Sequence, residues 1–149
     1  DERVKPIERT NLKNCSFDEI YAENEPVADL LVSDLSFISL TKVLPNLKQL
    51  LSPDFHEMIL LIKPQFEAGK EKVEKGGVVR DKKVHQEVIE NVIKCAKELN
   101  YTINDLTFSS IKGPSGNIEY LIWLSNHNGA ETVFDIKDIV ESAFETLNK

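Results

Sequence analysis

Three charged residues stand at the borders of apolar segments in this 149-residue chain. Asp34 and Lys63 each come directly after an apolar run, and Glu119 comes directly before one. Lysine and carboxylate side chains that meet in one place can bind polar groups and move protons. If the fold brings these three residues together, they form a candidate catalytic site.

Each of the three residues also has a simpler explanation when it is taken alone. A lysine after a strand is most often a solvated surface side chain. Asp34 lies close enough to a helix starting near residue 40 to cap it, as short polar side chains do at helix N-termini. Glu119 resembles an ordinary carboxylate at the edge of a strand. Only the convergence of all three favours a functional site.

The pattern of apolar residues predicts alternating strands and helices. Continuous apolar runs predict strands, and spacings of three and four residues predict amphipathic helices. A short mixed segment at 4–8 is a further possible strand. Pro45 lies inside the first helical pattern, so that helix either starts near it or kinks there. The predicted strands are 27–33, 57–62, 101–111 and 119–124, and the helices are 40–51, 81–99 and 136–147.

This alternation predicts one α/β unit with a largely parallel sheet. The segment 57–62 is expected to be a central strand buried on both faces. The link 112–118 has only seven residues. A link of that length cannot cross over to a parallel strand, so the last strand must run antiparallel. Its first residue, Glu119, then lies at the same edge of the sheet as Asp34 and Lys63.

The segment 64–80 is a polar stretch without clear periodicity. It is either a solvated mobile loop or a basic lip that meets phosphates, as long loops without structure are often functional or disordered. The basic residues of such a lip are Lys70, Lys72, Lys75 and Arg80, with Lys82 and Lys83 just beyond. Downstream, His85 is expected on the surface of its helix, and His56 and His127 lack the spacing of metal ligands.

Composition excludes several classes of protein. The formal charge of −7 argues against nucleic-acid binding by bulk charge. The longest apolar runs are far shorter than the roughly 20 residues of a membrane helix. The two cysteines, Cys15 and Cys95, are too far apart for a metal-binding pair, so a reduced, cytoplasmic compartment is expected.

Four motifs in this order resemble the hemolysin-A-like (TlyA-type) ribosomal RNA methyltransferases, whose catalytic domain is FtsJ-like. They are VSDLSFISL at 32–40, LIKPQFEAGK at 61–70, KGGVVRD at 75–81 and GPSGNIEYLIW at 113–123. The resemblance covers about residues 3 to 125. It implies an S-adenosylmethionine-dependent transfer of methyl to a ribose 2′-hydroxyl of ribosomal RNA, on a Rossmann-like sheet.

The resemblance also implies roles for individual residues. The family uses a Lys-Asp-Lys-Glu tetrad, of which Asp34, Lys63 and Glu119 match the last three members. The first lysine has no counterpart here. We expect Lys63 to contact the hydroxyl, Asp34 to face the methyl donor and Glu119 to orient Lys63. Whether a neutral lysine removes the hydroxyl proton or the carboxylates orient both Lys63 and the hydroxyl is left open, because burial and neighbouring charge act on the lysine in opposite directions. The implied cofactor contacts are Asp34, Leu35 and Asn11, and the implied RNA contacts are Ser36, Phe37, Lys70, Lys75, Arg80 and Asn117.

The chain departs from the family at its beginning. No glycine precedes Gly69, so the glycine-rich turn that holds the methyl donor is absent. We therefore expect residues 1–149 to be the C-terminal part of a methyltransferase domain, without the first two strands or the upstream S4-type RNA-binding domain. Such a fragment is expected to be inactive and to bind S-adenosylmethionine weakly or not at all.

The missing strands leave the edge of the segment 27–33 unpaired. We expect this edge to pair with a second copy, giving a homodimer, or with the N-terminal segment of the same chain. Two other functions stay open beside the enzyme: a non-catalytic interaction module and a cytolysin, as the older family name implies.

Overall fold

A computed structural model describes residues 1–127, 129 and 132–148. The predicted alternation of strands and helices is confirmed, with short additional helices in the connecting segments. The strands are β1 Leu30–Ser33, β2 Glu57–Ile62, β3 Thr102–Phe108 and β4 Tyr120–Ser125. The helices are α1 Phe17–Ile20, α2 Leu40–Gln49, α3 Pro64–Glu67, α4 Lys82–Glu98 and α5 Ile136–Leu147, with a 3₁₀ turn at Lys70–Lys72.

The four strands form one mixed sheet in the order β1-β2-β4-β3. β1 is parallel to β2, whereas β4 is antiparallel to both of its neighbours. The first three strands therefore run in one direction and the last runs against them, as predicted. At the start of β4, Tyr120 pairs with Ile62 of β2 and with Phe108 of β3. This register places Glu119 beside the carboxyl ends of the other strands.

One face of the sheet carries the hydrophobic core. α2, α4 and α5 share a single buried cluster with Met58, Leu60 and Ile62 of β2. The opposite face is partly open to solvent, and Ile59 of β2 is 38% exposed while Trp123 of β4 is 41% exposed. The prediction that β2 is buried on both faces is therefore wrong, because the long helices lie together on one side.

The N-terminal segment does not add a strand. Residues 1–8 form no strand, so the predicted strand at 4–8 is wrong. Among the described residues β1 pairs with β2 alone, and the N-terminal segment does not cover its free edge. A short segment without a hydrogen-bonded neighbour gains too little to stay extended as a strand. The segment 10–15 instead rests on α2, where Asn46 donates to the carbonyls of Leu12 and Cys15.

Capping residues fix where the helices begin and end. Ser39 caps α2 by accepting from the N–H of Thr41, and Asp81 caps α4 by accepting from the N–H of Lys83. Asn100 ends α4 in the left-handed region with φ of 62°. α2 continues through Pro45 rather than starting there. No helix in the described part of the chain is long and apolar enough to cross a membrane.

Candidate functional site

The carboxyl ends of β1, β2 and β3 and the start of β4 surround an open cleft of about 880 Å³. The three charged residues of the predicted site all line it. Of the RNA contacts expected from the family resemblance, three line the cleft: Ser36, Phe37 and Asn117. Gln65, Phe66 and Gly113 also line the cleft.

Lys63 is fixed at the base of this cleft. It is the first residue after β2 and the N-cap of α3, and Pro64 follows at the first helical position, where its missing N–H costs nothing. The Lys63 side chain is 11% exposed, and its Nζ lies 2.5 Å from Oδ1 of Asp34. Nζ also donates to the Ser36 hydroxyl at 3.2 Å. The interpretation of Lys63 as a solvated surface lysine is therefore wrong.

Asp34 serves this ion pair rather than the following helix. Its side chain is 74% exposed, so the carboxylate faces the open side of the cleft. The cap of α2 is Ser39, which makes the alternative interpretation of Asp34 as a helix cap wrong.

Glu119 lies in a different part of the same cleft. It is 6% exposed, and its Oε1 accepts a hydrogen bond from Nε2 of Gln65 at 3.0 Å. Gly113 lies against it so closely that a Cβ there would be 2.6 Å from Oε1. Among the described residues the ion pair of Lys63 is with Asp34, so the geometry shows no direct contact by which Glu119 orients Lys63.

The single turn α3 connects these parts. Successive side chains on a helix point about 100° apart, so neighbouring residues reach different elements. Gln65 reaches Glu119, Phe66 packs against Phe37 with the two rings tilted by 46°, and Glu67 reaches the start of α2. There the Glu67 carboxylate accepts from the Ser39 hydroxyl at 2.6 Å and from the N–H of Leu40 at 2.7 Å. Burial raises the pKa of Glu67, and these two hydrogen bonds oppose the rise.

Sequence reasoning missed Gln65 and Glu67 as parts of the site. A signal was present, since both lie within four residues of the candidate Lys63 and just after a helix-starting proline. That signal predicts a helical turn but not the partners of its side chains.

Phe37 projects from the rim of the cleft. It is 91% exposed and has φ of 64°, a conformation that is unusual for a bulky residue. Its ring centroid lies 4.9 Å from that of Phe66. Exposed aromatic surface and left-handed backbone are both unfavourable, and strain of this kind collects at functional sites.

Asn117 holds the segment 64–80 against the β3–β4 connection. It is 1% exposed, and its amide accepts from the N–H of Val79 and donates to the carbonyl of Gly77. With α3 and the 3₁₀ turn, this segment is structured, so its description as a loop without structure is wrong. Lys70, Lys75 and Arg80 lie outside the cleft lining. Arg80 pairs with Glu74 at 2.6 Å.

His85 contacts the same segment, 64–80, at the backbone of Val79. It is fully buried, so its prediction as a surface residue is wrong, because α5 packs Phe144 against it at 5.0 Å. Its ring nitrogens contact the Val79 carbonyl at 2.9 Å and the Tyr120 hydroxyl at 2.8 Å. The carbonyl can only accept, so the neutral ring donates to it from Nε2 and accepts from Tyr120 at Nδ1. Burial lowers the pKa of His85.

Two expected cofactor contacts lie apart from the cleft lining. Leu35 packs against the hydrophobic core. Asn11 is exposed, and its side chain accepts from the N–H of Lys13 at 3.0 Å.

Comparison with known proteins identifies this arrangement. A family model described as FtsJ-like methyltransferase matches residues 1–126. YqxC of Bacillus subtilis, described as a candidate rRNA methyltransferase, is 39% identical over the whole chain, which covers 53% of YqxC. The 16S/23S rRNA (cytidine-2′-O)-methyltransferase TlyA of Mycobacterium tuberculosis is 42% identical over 83% of the chain and 44% of TlyA. The chain thus spans about half the length of these relatives.

A solved structure agrees with the sequence comparisons. The crystal structure of a Lactococcus lactis protein described as a candidate hemolysin superposes with a TM-score of 0.85 and 40% identity. The match covers 95% of this chain and 67% of that one. From the family model, the relatives and the cleft at the strand ends, the chain belongs to the FtsJ-like methyltransferase family.

Proposed function

We propose that the intact protein transfers a methyl group from S-adenosylmethionine to a ribose 2′-hydroxyl of ribosomal RNA, and that this chain forms the part of the active site that handles the hydroxyl. The family and the name of the mycobacterial relative support the reaction class. The observation that carries the proposal is the nearly buried Lys63, held by Asp34 and Ser36 in a cleft that also contains the buried Glu119.

Lys63 acts on the hydroxyl by positioning it. A hydroxyl group is a weak nucleophile until its oxygen is oriented and its proton is removed. An ammonium group held between a carboxylate and a hydroxyl acts as a hydrogen-bond donor. Lys63 in this geometry donates to the ribose oxygen and orients it toward the methyl group, a contribution that effective molarities show to be large. The Glu119 carboxylate in the same cleft accepts the hydroxyl proton.

Asp34 fits the methyl donor, whose sulfonium carries a positive charge. Its carboxylate is mostly exposed at the end of β1, where it remains accessible beside Lys63. S-adenosylmethionine supplies an electrophilic methyl group when it is bound. The proposed contacts also include Leu35 and Asn11, although neither side chain lines the cleft. A glycine-rich cradle would come from polypeptide outside this chain, because no glycine precedes Gly69.

We therefore expect this chain alone to be inactive and to bind S-adenosylmethionine weakly or not at all. Isothermal titration calorimetry with the 149-residue chain tests this expectation. Saturable binding as tight as that of the intact protein would contradict it.

Phe37 and its neighbours form the proposed RNA contact. An exposed aromatic ring stacks on an unpaired base, a contact worth about 1–3 kcal/mol. Ser36 and the rim around Asn117 lie on the same cleft, whereas Lys70, Lys75 and Arg80 belong to the adjacent segment and would meet phosphates. Because the net charge of −7 argues against binding by bulk charge, contact of this chain with RNA rests on such local groups.

The free edge of β1 is a second proposed contact surface. Val32 on this strand is 71% exposed, so both an edge and apolar surface are open. We propose that polypeptide of the intact protein covers this edge, and a second copy of the chain is the alternative. Light scattering of the isolated and intact proteins separates the two. A dimer in both proteins would favour a second copy, whereas an intact protein without this dimer would favour an edge covered by its own polypeptide.

Lys63→Met in the intact protein tests the proposed reaction. We expect 2′-O-methylation of ribosomal RNA, read by mass spectrometry of nuclease digests, to fall by at least about 10²-fold. Lys137→Met on the exposed side of α5 is the matched control and should retain wild-type activity. Full methylation by Lys63→Met would contradict the proposal and favour a non-catalytic interaction module.

A further inference from the structure

Gln65 makes a contact that the tetrad does not explain. Its Nε2 donates to Oε1 of the buried Glu119 at 3.0 Å. Because a carboxylate only accepts hydrogen bonds, this contact also fixes which way the Gln65 amide faces. The backbone that carries Gln65 is held on both sides, by Pro64 at the first position of α3 and by Phe66 against Phe37.

Stability does not account for a glutamine at this position. The Oε1 atom of Gln65 is buried and has no hydrogen-bond donor among the described residues. A buried acceptor without a donor costs free energy, and an apolar side chain of the same length would avoid that cost. A glutamine here therefore serves the cleft rather than the core.

Glu119 depends on this amide for its position. Within the described residues it forms no salt bridge, and Lys63 is engaged by Asp34 and Ser36. On its other side Gly113 offers no side chain and leaves the carboxylate its space. The Gln65 amide is thus the polar group that holds the Glu119 carboxylate in the cleft.

We propose that Gln65 is a positioning residue: its amide holds the Glu119 carboxylate in place to accept the ribose 2′-hydroxyl bound in the cleft. This inference rests on the proposed methyl transfer.

Two substitutions of Gln65 in the intact protein separate positioning from packing. Gln65→Met keeps the length of the side chain but removes both polar atoms, and we expect kcat to fall about 10-fold or more with little change in KM for RNA. Gln65→Glu places a second carboxylate beside Glu119. Like charges so close share a proton, so the acid limb of the rate profile should move to higher pH. Gln49→Met and Gln49→Glu, at the exposed end of α2, are the matched controls.

A second readout is independent of catalysis. In the 149-residue chain, the carboxyl carbon resonance of Glu119 should shift in Gln65→Met and stay unchanged in Gln49→Met. If this resonance does not move, or if both Gln65 variants keep the wild-type kcat and pH profile, the inference is wrong. If Gln65→Glu lowers kcat by the same factor at every pH, Gln65 has only a structural role and the inference is also wrong. An intact wild-type protein that does not methylate RNA would instead refute the proposed function.

Discussion

Gly113→Ala should impair catalysis far more than folding. The new Cβ would lie 2.6 Å from Oε1 of Glu119 and 3.1 Å from its Cδ. An ordinary van der Waals contact begins near 3.4 Å, so the carboxylate must move by about 0.8 Å. It cannot do so and keep its present 3.0 Å bond to Gln65 unless Gln65 moves as well. Because misplacement of a catalytic group by about 1 Å can cost about 10²-fold in rate, we expect kcat to fall 10- to 10²-fold.

The cost in stability should be small. Gly113 does not have positive φ, so alanine fits its backbone, and its N–H can still donate to the Asn117 carbonyl. Replacing glycine at a compatible position stabilises by about 0.4–1 kcal/mol through the unfolded state. This gain offsets part of the crowding, so the free energy of unfolding should change by no more than about 1 kcal/mol.

The assay pairs methylation by the intact protein with urea unfolding of the same variants. Gly69→Ala is the matched control. Its Cβ would also meet a carboxylate, Oε1 of Glu71 at 2.1 Å, but that side chain is exposed and can swing away. We expect wild-type kcat from this control. A wild-type rate in Gly113→Ala would refute the reasoning, because it would mean that the position of Glu119 does not matter.

Three further substitutions test other parts of the structure. Phe37→Gly should be about 1 kcal/mol more stable than Phe37→Ala, because only glycine adopts this positive φ without strain. Both variants should lose RNA methylation to the same extent. Equal stability of the two variants would show that the backbone at Phe37 is not strained. The lowered pKa of His85 means that the unfolded chain takes up the proton more readily, so the free energy of unfolding should fall as pH drops below about 6.5. His85→Gln should reduce this fall in denaturant titrations at several pH values, and an unchanged fall would exclude His85 as its source. Leu60→Ala should cost about 2–5 kcal/mol in urea unfolding because the side chain is fully buried, whereas the exposed Leu30→Ala should cost less than about 0.5 kcal/mol; similar losses would show that burial is not decisive.

Much of the fold followed from local patterns. The caps Ser39 and Asp81 and the left-handed Asn100 are local signals, because the hydrogen bonds they make lie within three residues. Strand direction followed from the length of one connection, since seven residues cannot cross a sheet. These rules alone place Glu119 at the same edge of the sheet as Asp34 and Lys63.

Other features depended on contacts between distant segments. His85 is buried because α5 packs against its side of α4, and no pattern within the sequence of α4 indicates that contact. Ile59 is exposed because the long helices all pack on the opposite face of the sheet. The segment 4–8 has the composition of a possible strand but finds no partner.

The amino-acid sequence by itself determined which charged residues lie at the end of the sheet, because chain direction and connection length are local properties. Only the tertiary structure decided how those residues are paired. Lys63 joins Asp34, and Glu119 joins Gln65. Such pairs depend on distances of a few ångströms between segments that are far apart in the chain, and the packing of β1, α3 and β4 against one another sets those distances.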